Sequence, residues 1–415
     1  MSIWKEDKKA SEYKSLDTNY DMDVCVIGAG ITGISTAYYL TKNGFKVAVV
    51  DKDDIASKAS ENTTAKITLQ HGLIYNYLIS SYGKEFALKY FNANKDAISN
   101  IQRIIAQENI NCDFEYQSNY IYAEEQENIK KIENEITAIN ILEDNYASFE
   151  TNLNLPFKVT GAIKTKNQAQ FHPIKYIEGL AKYITENGGK IFTNTCITNI
   201  KNEDKVYVSF AKEYRIKSKY VVIASHYPFI NFPGFYFSKM YQVTSYAMAV
   251  DIGKDAFDGM YINLAEPTLS FRNVQYGEKK LLIVSGGNHK TGFSPESKEF
   301  YGYKFLENKI NKFYPNNKIL YKWNTRDCIS LDKIPYIGRF SNLVPNIYVA
   351  TGFKKWGMST SHVAGKLISD SILGNKNDFA EIYKATRLEP FKNIKEFAKL
   401  HNIILDKQKI KGKYS

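Results

Sequence analysis

Asp23-Val24-Cys25-Val26-Ile27-Gly28-Ala29-Gly30-Ile31-Thr32-Gly33 is the stretch on which the reading of the fold turns. Asp23 to Ile27 has the composition of a short buried strand. The glycine-rich turn follows at once, and apolar residues then recur with helical spacing at Ile34, Ala37, Tyr38 and Leu40. Gly44 stops that helix, and Val47 to Val50 reads as a second strand ending at Asp51-Lys52. Strand, turn, helix and strand in this order form a dinucleotide-binding unit. Gly28 permits the tight turn, Gly30 lets backbone approach a pyrophosphate, and Gly33 lets the helix pack close to the strand. Ala29 and Thr32 share the loop, where the free N–H groups of the helix start favour phosphate. Asp51, about twenty residues on, suits a ribose hydroxyl and disfavours a 2′-phosphate.

The chain has 415 residues, 44% hydrophobic and 24% charged, which is ordinary globular composition. That length predicts two or three domains. No apolar run is long enough to span a bilayer, and residues 1–20 are too polar for a secretory signal, so the expected location is the cytoplasm. Cys25, Cys112, Cys196 and Cys328 are far apart in sequence, so no disulfide framework or metal site is expected. The net charge is +11, carried by lysine, with only six arginines. Only Lys407 to Lys413 is densely basic, so nucleic acid is disfavoured as a partner and an acidic small molecule or protein fits as well.

Further buried strands are predicted at Lys219 to Ala224, which runs into Ser225-His226-Tyr227-Pro228, and at Asn346 to Ala350. After the latter come Thr351-Gly352-Phe353 and Trp356-Gly357-Met358-Ser359, then a helix through Val363, Leu367, Ile368 and Ile372 that stops at Gly374. Ser359 or Thr360 could cap it. This helix start offers a second site for negative charge, as expected where a reduced flavin must be stabilised.

With Asp332-Lys333-Ile334-Pro335-Tyr336-Ile337-Gly338, these residues resemble the family of FAD-dependent oxidoreductases that includes D-amino-acid oxidase, glycine oxidase and sarcosine oxidase. The resemblance extends to Ser60-Glu61-Asn62-Thr63-Thr64-Ala65, to Phe171-His172-Pro173 at a helix start, and to Cys196-Ile197-Thr198. It implies FAD held by Thr63, Thr64 and Ala65, by backbone near Ile197, and by Gly352, Gly357, Met358 and Ser359. Thr63-Thr64-Ala65-Lys66, Gln70-His71-Gly72, Asn167 to Pro173 and Gly352-Phe353-Lys354-Lys355-Trp356-Gly357-Met358 are similar to a bacterial subfamily that usually carries a C-terminal Rieske domain. No cysteine follows Cys328, so no such centre is expected, and electrons should pass to oxygen or a separate acceptor.

The expected fold is α/β: a Rossmann-like FAD-binding domain from 20–81, 161–233 and 322–374, with an inserted mixed-sheet substrate domain from 82–160 and 234–321. Residues 375–415 read as a polar helical tail. The resemblance implies oxidation of a C–N bond in an amino acid or related amine by hydride transfer to flavin N5. Oxidation of a 2-hydroxy acid, or an electron-transfer flavoprotein subunit, are the alternatives. Such chemistry calls for a substrate anchor more than for acid–base machinery. Arg272, within the apolar segment Leu269-Ser270-Phe271, is the expected carboxylate anchor. His71, His226 and Lys355 are further substrate-side candidates. His289 has a status similar to that of His71 and His226. His172 is expected to cap a helix and Tyr246 to lie in the core.

Overall fold

The structure is a computed structural model, and it describes residues 1–8, 12–292 and 301–387. The polar tail predicted beyond the short helix Ala380–Tyr383 lies for the most part outside the described residues.

The predicted βαβ unit is present as the strand Tyr20–Ile27, the helix Ile31–Lys42 and the strand Val47–Val50. The two strands pair in parallel with Val24 opposite Val47. Tyr214–Ile223 joins Tyr20–Ile27 on its other side, also in parallel, and Val344–Thr351 follows. Lys190–Phe192 and the antiparallel strand Tyr336–Ser341 form the two edges of this path. Alternation along the central strand explains why every position from Val24 to Ile27 is buried. Val24 and Val26 face the helix layer, while Cys25 and Ile27 enter a second cluster with Tyr207 and Ala211.

The second sheet has nine strands and is mixed. Lys318–Ser330, Met240–Asp251, Lys279–Lys290, Leu269–Tyr276 and Met260–Asn263 run antiparallel in that order. Met260–Asn263 then pairs in parallel with Glu115–Ala123. Gly161–Gln170 and Lys66–Ile67 complete the path. Three strands that the sequence reading grouped wholly or largely with the flavin segments therefore sit in this sheet: Lys66–Ile67, Gly161–Gln170 and Lys318–Ser330. Their backbone donors find partners only there, so pairing overrides their neighbours in sequence. The helices Lys84–Gln107 and Ile129–Leu142 stand where amphipathic spacing predicts them. Among the described residues no helix is long and apolar enough to cross a membrane.

Candidate active site

A cavity of about 440 Å³ opens between the two sheets. Gly28, Gly30, Thr32, Asp51, Lys52, Thr63, Thr64, Ile197, Gly352, Gly357 and Met358 all line it. These eleven were named from sequence. Ala29, Gly33, Ala65 and Ser359 stand behind its wall. The Ala29 N–H donates to Asp51 Oδ2 at 2.6 Å, holding the carboxylate at the cavity's edge. Gly33 packs the helix against the turn so tightly that a Cβ would meet the Gly28 carbonyl oxygen at 1.8 Å. Gly28 itself has φ +115°, and a Cβ there would meet the Ala224 carbonyl oxygen at 2.5 Å. Ser359 caps nothing: its hydroxyl donates to the Thr68 carbonyl at 2.9 Å, and its helix, Gly357–Leu373, starts without a side-chain cap. The first helix also starts uncapped, at Gly30, with the Ile31 N–H turned to Ser60 Oγ.

Two helix starts therefore open onto one cavity, tied together by Thr32 Oγ1 and Ser361 Oγ at 2.8 Å. Each offers backbone donors to negative charge. Asp51 and the Gly352–Met358 turn line the same cavity, and Asp53 Oδ2 beside Asp51 is buried and ion-paired with Lys58 Nζ at 3.5 Å. The residues present fit FAD.

The cavity continues onto the inner face of the second sheet, where Ser245, Tyr246, Ser270, Ser285, Thr325 and Asp327 line it. Tyr246, expected in the core, faces this space, and its hydroxyl lies 3.0 Å from His289 Nε2. His226 and Lys355 line the cavity too, both in the left-handed region with φ +67° and +72°. Strain of that kind in non-glycine residues collects at binding sites. Burial lowers the Lys355 pKa against an opposing pull from Asp327, and burial raises that of Asp327 against Lys355 and His226.

Arg272 faces the side the sequence reading gave it but has other partners there, and His71 lies off the cavity. Arg272 is on the inner sheet face, but it does not line the cavity. Its Nη1 donates to the Thr64 and Ala65 carbonyls at 2.9 and 3.0 Å, its Nε to the Asn273 carbonyl, and it stacks over Trp4. A guanidinium so bonded holds the turn that carries Thr63 and Thr64. His71 is fully enclosed, with Nδ1 2.6 Å from the Tyr90 hydroxyl and Nε2 close to the Thr68 carbonyl and Ser359 Oγ. Burial pushes its pKa down to about 3, so it is a neutral packing residue stacked on Trp356. His172 caps Pro173–Glu186 as predicted, its Nδ1 accepting from the Lys175 N–H.

Sequence reasoning passed over Trp4, Asp327, Trp323 and the role of Lys66. Trp4 and Trp323 donate their indole N–H groups to the carbonyls of Thr63 and Asn62, bracing the same turn. A tryptophan in a polar leader and a lysine inside the apolar run Ala65 to Leu69 were the available signals.

Residues 23–371 match the family described as FAD dependent oxidoreductase. The chain is 34% identical over 415 residues to the Rieske 2Fe-2S iron-sulfur protein YhfW of Bacillus subtilis strain 168, covering 99% of this chain and 80% of that protein. It is 23% identical to gamma-glutamylputrescine oxidoreductase of Escherichia coli K12, over 89% of this chain and 88% of the relative. In structure it resembles glycine oxidase from Geobacillus kaustophilus, with a TM-score of 0.74 at 17% identity, covering 89% of this chain and 99% of the other. The family match spans most of the chain, its glycines build the cradle described above, and the protein is therefore a member of the FAD-dependent oxidoreductase family that includes D-amino-acid oxidase.

Proposed function

We propose that the protein oxidises a C–N bond of an amino acid or related amine, by hydride transfer to FAD N5, and that oxygen or a separate acceptor then takes the electrons. The observation that carries this reading is the continuation of the cavity past the cofactor cradle onto a polar sheet face. Ser245 Oγ there is buried with no hydrogen-bond partner among the described residues, and Asp327, whose charge is felt by Lys355 and His226, lines the same face. Buried polar groups left unpaired in the protein are suited to pairing with a ligand. An electron-transfer subunit has no use for such a bed. Similarity to gamma-glutamylputrescine oxidoreductase and to glycine oxidase supports an amine or amino acid over a hydroxy acid.

When bound, FAD supplies the two-electron acceptor. The protein's part is to bind, orient and keep out water. The uncapped starts of Ile31–Lys42 and Gly357–Leu373 hold negative charge, and Asp51 takes the ribose. Lys355, His226 and Asp327 orient the polar groups of the substrate, and Lys355 also faces charge that develops on reduction. Anaerobic mixing with a panel of amines, amino acids and 2-hydroxy acids tests this, with flavin bleaching as the readout. Bleaching by an amine or amino acid is expected. Bleaching by hydroxy acids alone, or by nothing in the panel, would overturn the reading.

A further inference from the structure

Two basic side chains meet on the inner face of the second sheet with no carboxylate in ion-pair contact among the described residues. Lys66 reaches across from Lys66–Ile67, and its Nζ donates to the Tyr261 carbonyl at 2.9 Å and to Ser270 Oγ. Arg272, two residues beyond Ser270 on the same face, is committed to backbone carbonyls. Neither has a carboxylate within ion-pair distance among the described residues. Lys66 is 9% exposed and Ser270 7%, and both line the cavity. The nitrogen has one position left after its two protein bonds. That position is left to whatever occupies the cavity.

We propose that Lys66 anchors the carboxylate of the substrate, and that it takes one proton from solvent as the carboxylate arrives. The step balances as a neutral amine, a proton and a carboxylate giving an ammonium–carboxylate pair. The amino-acid reading above supplies the owner of that carboxylate. The groups facing Lys66 favour the neutral amine in the free protein. Arg272 from Leu269–Tyr276 is cationic, while Tyr261 from Met260–Asn263 and Gln170 from Gly161–Gln170 are uncharged. Glu115 from Glu115–Ala123 acts on Arg272. Burial, then Arg272, lowers the Lys66 pKa well below the usual lysine range. A carboxylate replaces the missing countercharge and draws the proton on. The anchor predicted from sequence at Arg272 is thus transferred to the base beside it.

The sign follows from linkage. Above the pKa of free Lys66, each pH unit should weaken carboxylate binding about tenfold, because a proton must be taken up. Below it, affinity should be flat. The probes are sodium benzoate and its uncharged isostere benzamide, titrated calorimetrically into FAD-loaded protein from mildly acid to alkaline buffer. Benzoate should bind at least about tenfold more tightly than benzamide, with the pH dependence above. Lys66→Met should abolish that preference. Lys66→Arg should restore it but with no pH dependence, because guanidinium stays protonated. Benzoate affinity flat across the whole range in the wild type, or Lys66→Met retaining the preference, overturns the proposal. If Lys66→Met fails to hold FAD, the wild-type profile and Lys66→Arg decide. Flavin bleaching of the wild type by amines, scored separately, tests the amine-oxidation reading. Bleaching without benzoate binding removes only the anchor, and benzoate binding with the predicted pH profile but without bleaching removes only the reaction.

Discussion

Arg272 donates to two carbonyls of one turn, one buried and one part-buried, and its removal takes this partner from both. Each such group costs about 1–3 kcal/mol. Arg272→Met should therefore lower the unfolding free energy by roughly 2–5 kcal/mol in denaturant melts, and a change under about 0.5 kcal/mol would count against this role. Its inward face was legible from an arginine inside an apolar strand. Its partners were not, because Thr64 and Ala65 come from far away in the sequence. Gly30's place at the start of the first helix was legible, since it is fixed by neighbours in the chain. A Cβ there already stands 3.0 Å from Ser60 Oγ, before any cofactor is counted. Gly30→Leu should leave less than about a tenth of the wild-type FAD after purification, measured from the flavin absorbance of denatured protein.

Ile129–Leu142 shows what an element's pattern reveals and what it hides. The spacing Ile129, Ile132, Ile136, Ile139 predicts a packed helix, and Ile132 and Ile139 are fully buried. Glu135, on the same side, is equally buried. Its two oxygens accept the N–H groups of Tyr75 and Asn76, so it serves as the missing cap of Tyr75–Tyr82. A cap supplied by a different helix leaves no local trace in sequence. Burial raises the Glu135 pKa to about 7 against those hydrogen bonds. A carboxyl whose folded pKa exceeds its unfolded value of about 4.3 favours the folded state below that value, and the advantage is lost as pH rises towards 7. Stability should thus fall by on the order of 2–3 kcal/mol from about pH 4.5 to about pH 7 on this account alone. Glu135→Gln should flatten that slope in denaturant melts, and an unchanged slope would show that other groups set it.

At the scale of the molecule, the parallel strands Tyr20–Ile27, Val47–Val50, Tyr214–Ile223 and Val344–Thr351 were legible as apolar runs, but the edge strands Lys190–Phe192 and Tyr336–Ser341 were not. The second sheet was legible as mixed, but not its order. Met260–Asn263 is only four residues long and pairs in parallel with Glu115–Ala123 across a long interval of chain. The packing of the N-terminal segment was not legible for a related reason. It reads as polar, yet Ile3 and Trp4 are buried, and Trp4 packs between Arg272 and His172 while bonding the Thr63 carbonyl. It is a brace beneath the cofactor turn. Trp4→Ala should cost about 3–5 kcal/mol and speed FAD loss on dilution. Unaltered stability with unaltered FAD retention would refute the brace.

The two uncapped helix starts lie at opposite ends of the sequence, at Gly30 and Gly357. During synthesis the first leaves the ribosome long before the second exists, and so do the inner strands of the first sheet, which await Val344–Thr351. A half-made chain lacks one of the two helix starts that line the cavity. Ribosome-bound nascent chains halted before Gly357 should retain no flavin, whereas the full released chain should. Flavin supply in the cell would then govern how much finished polypeptide survives, rather than how much is begun.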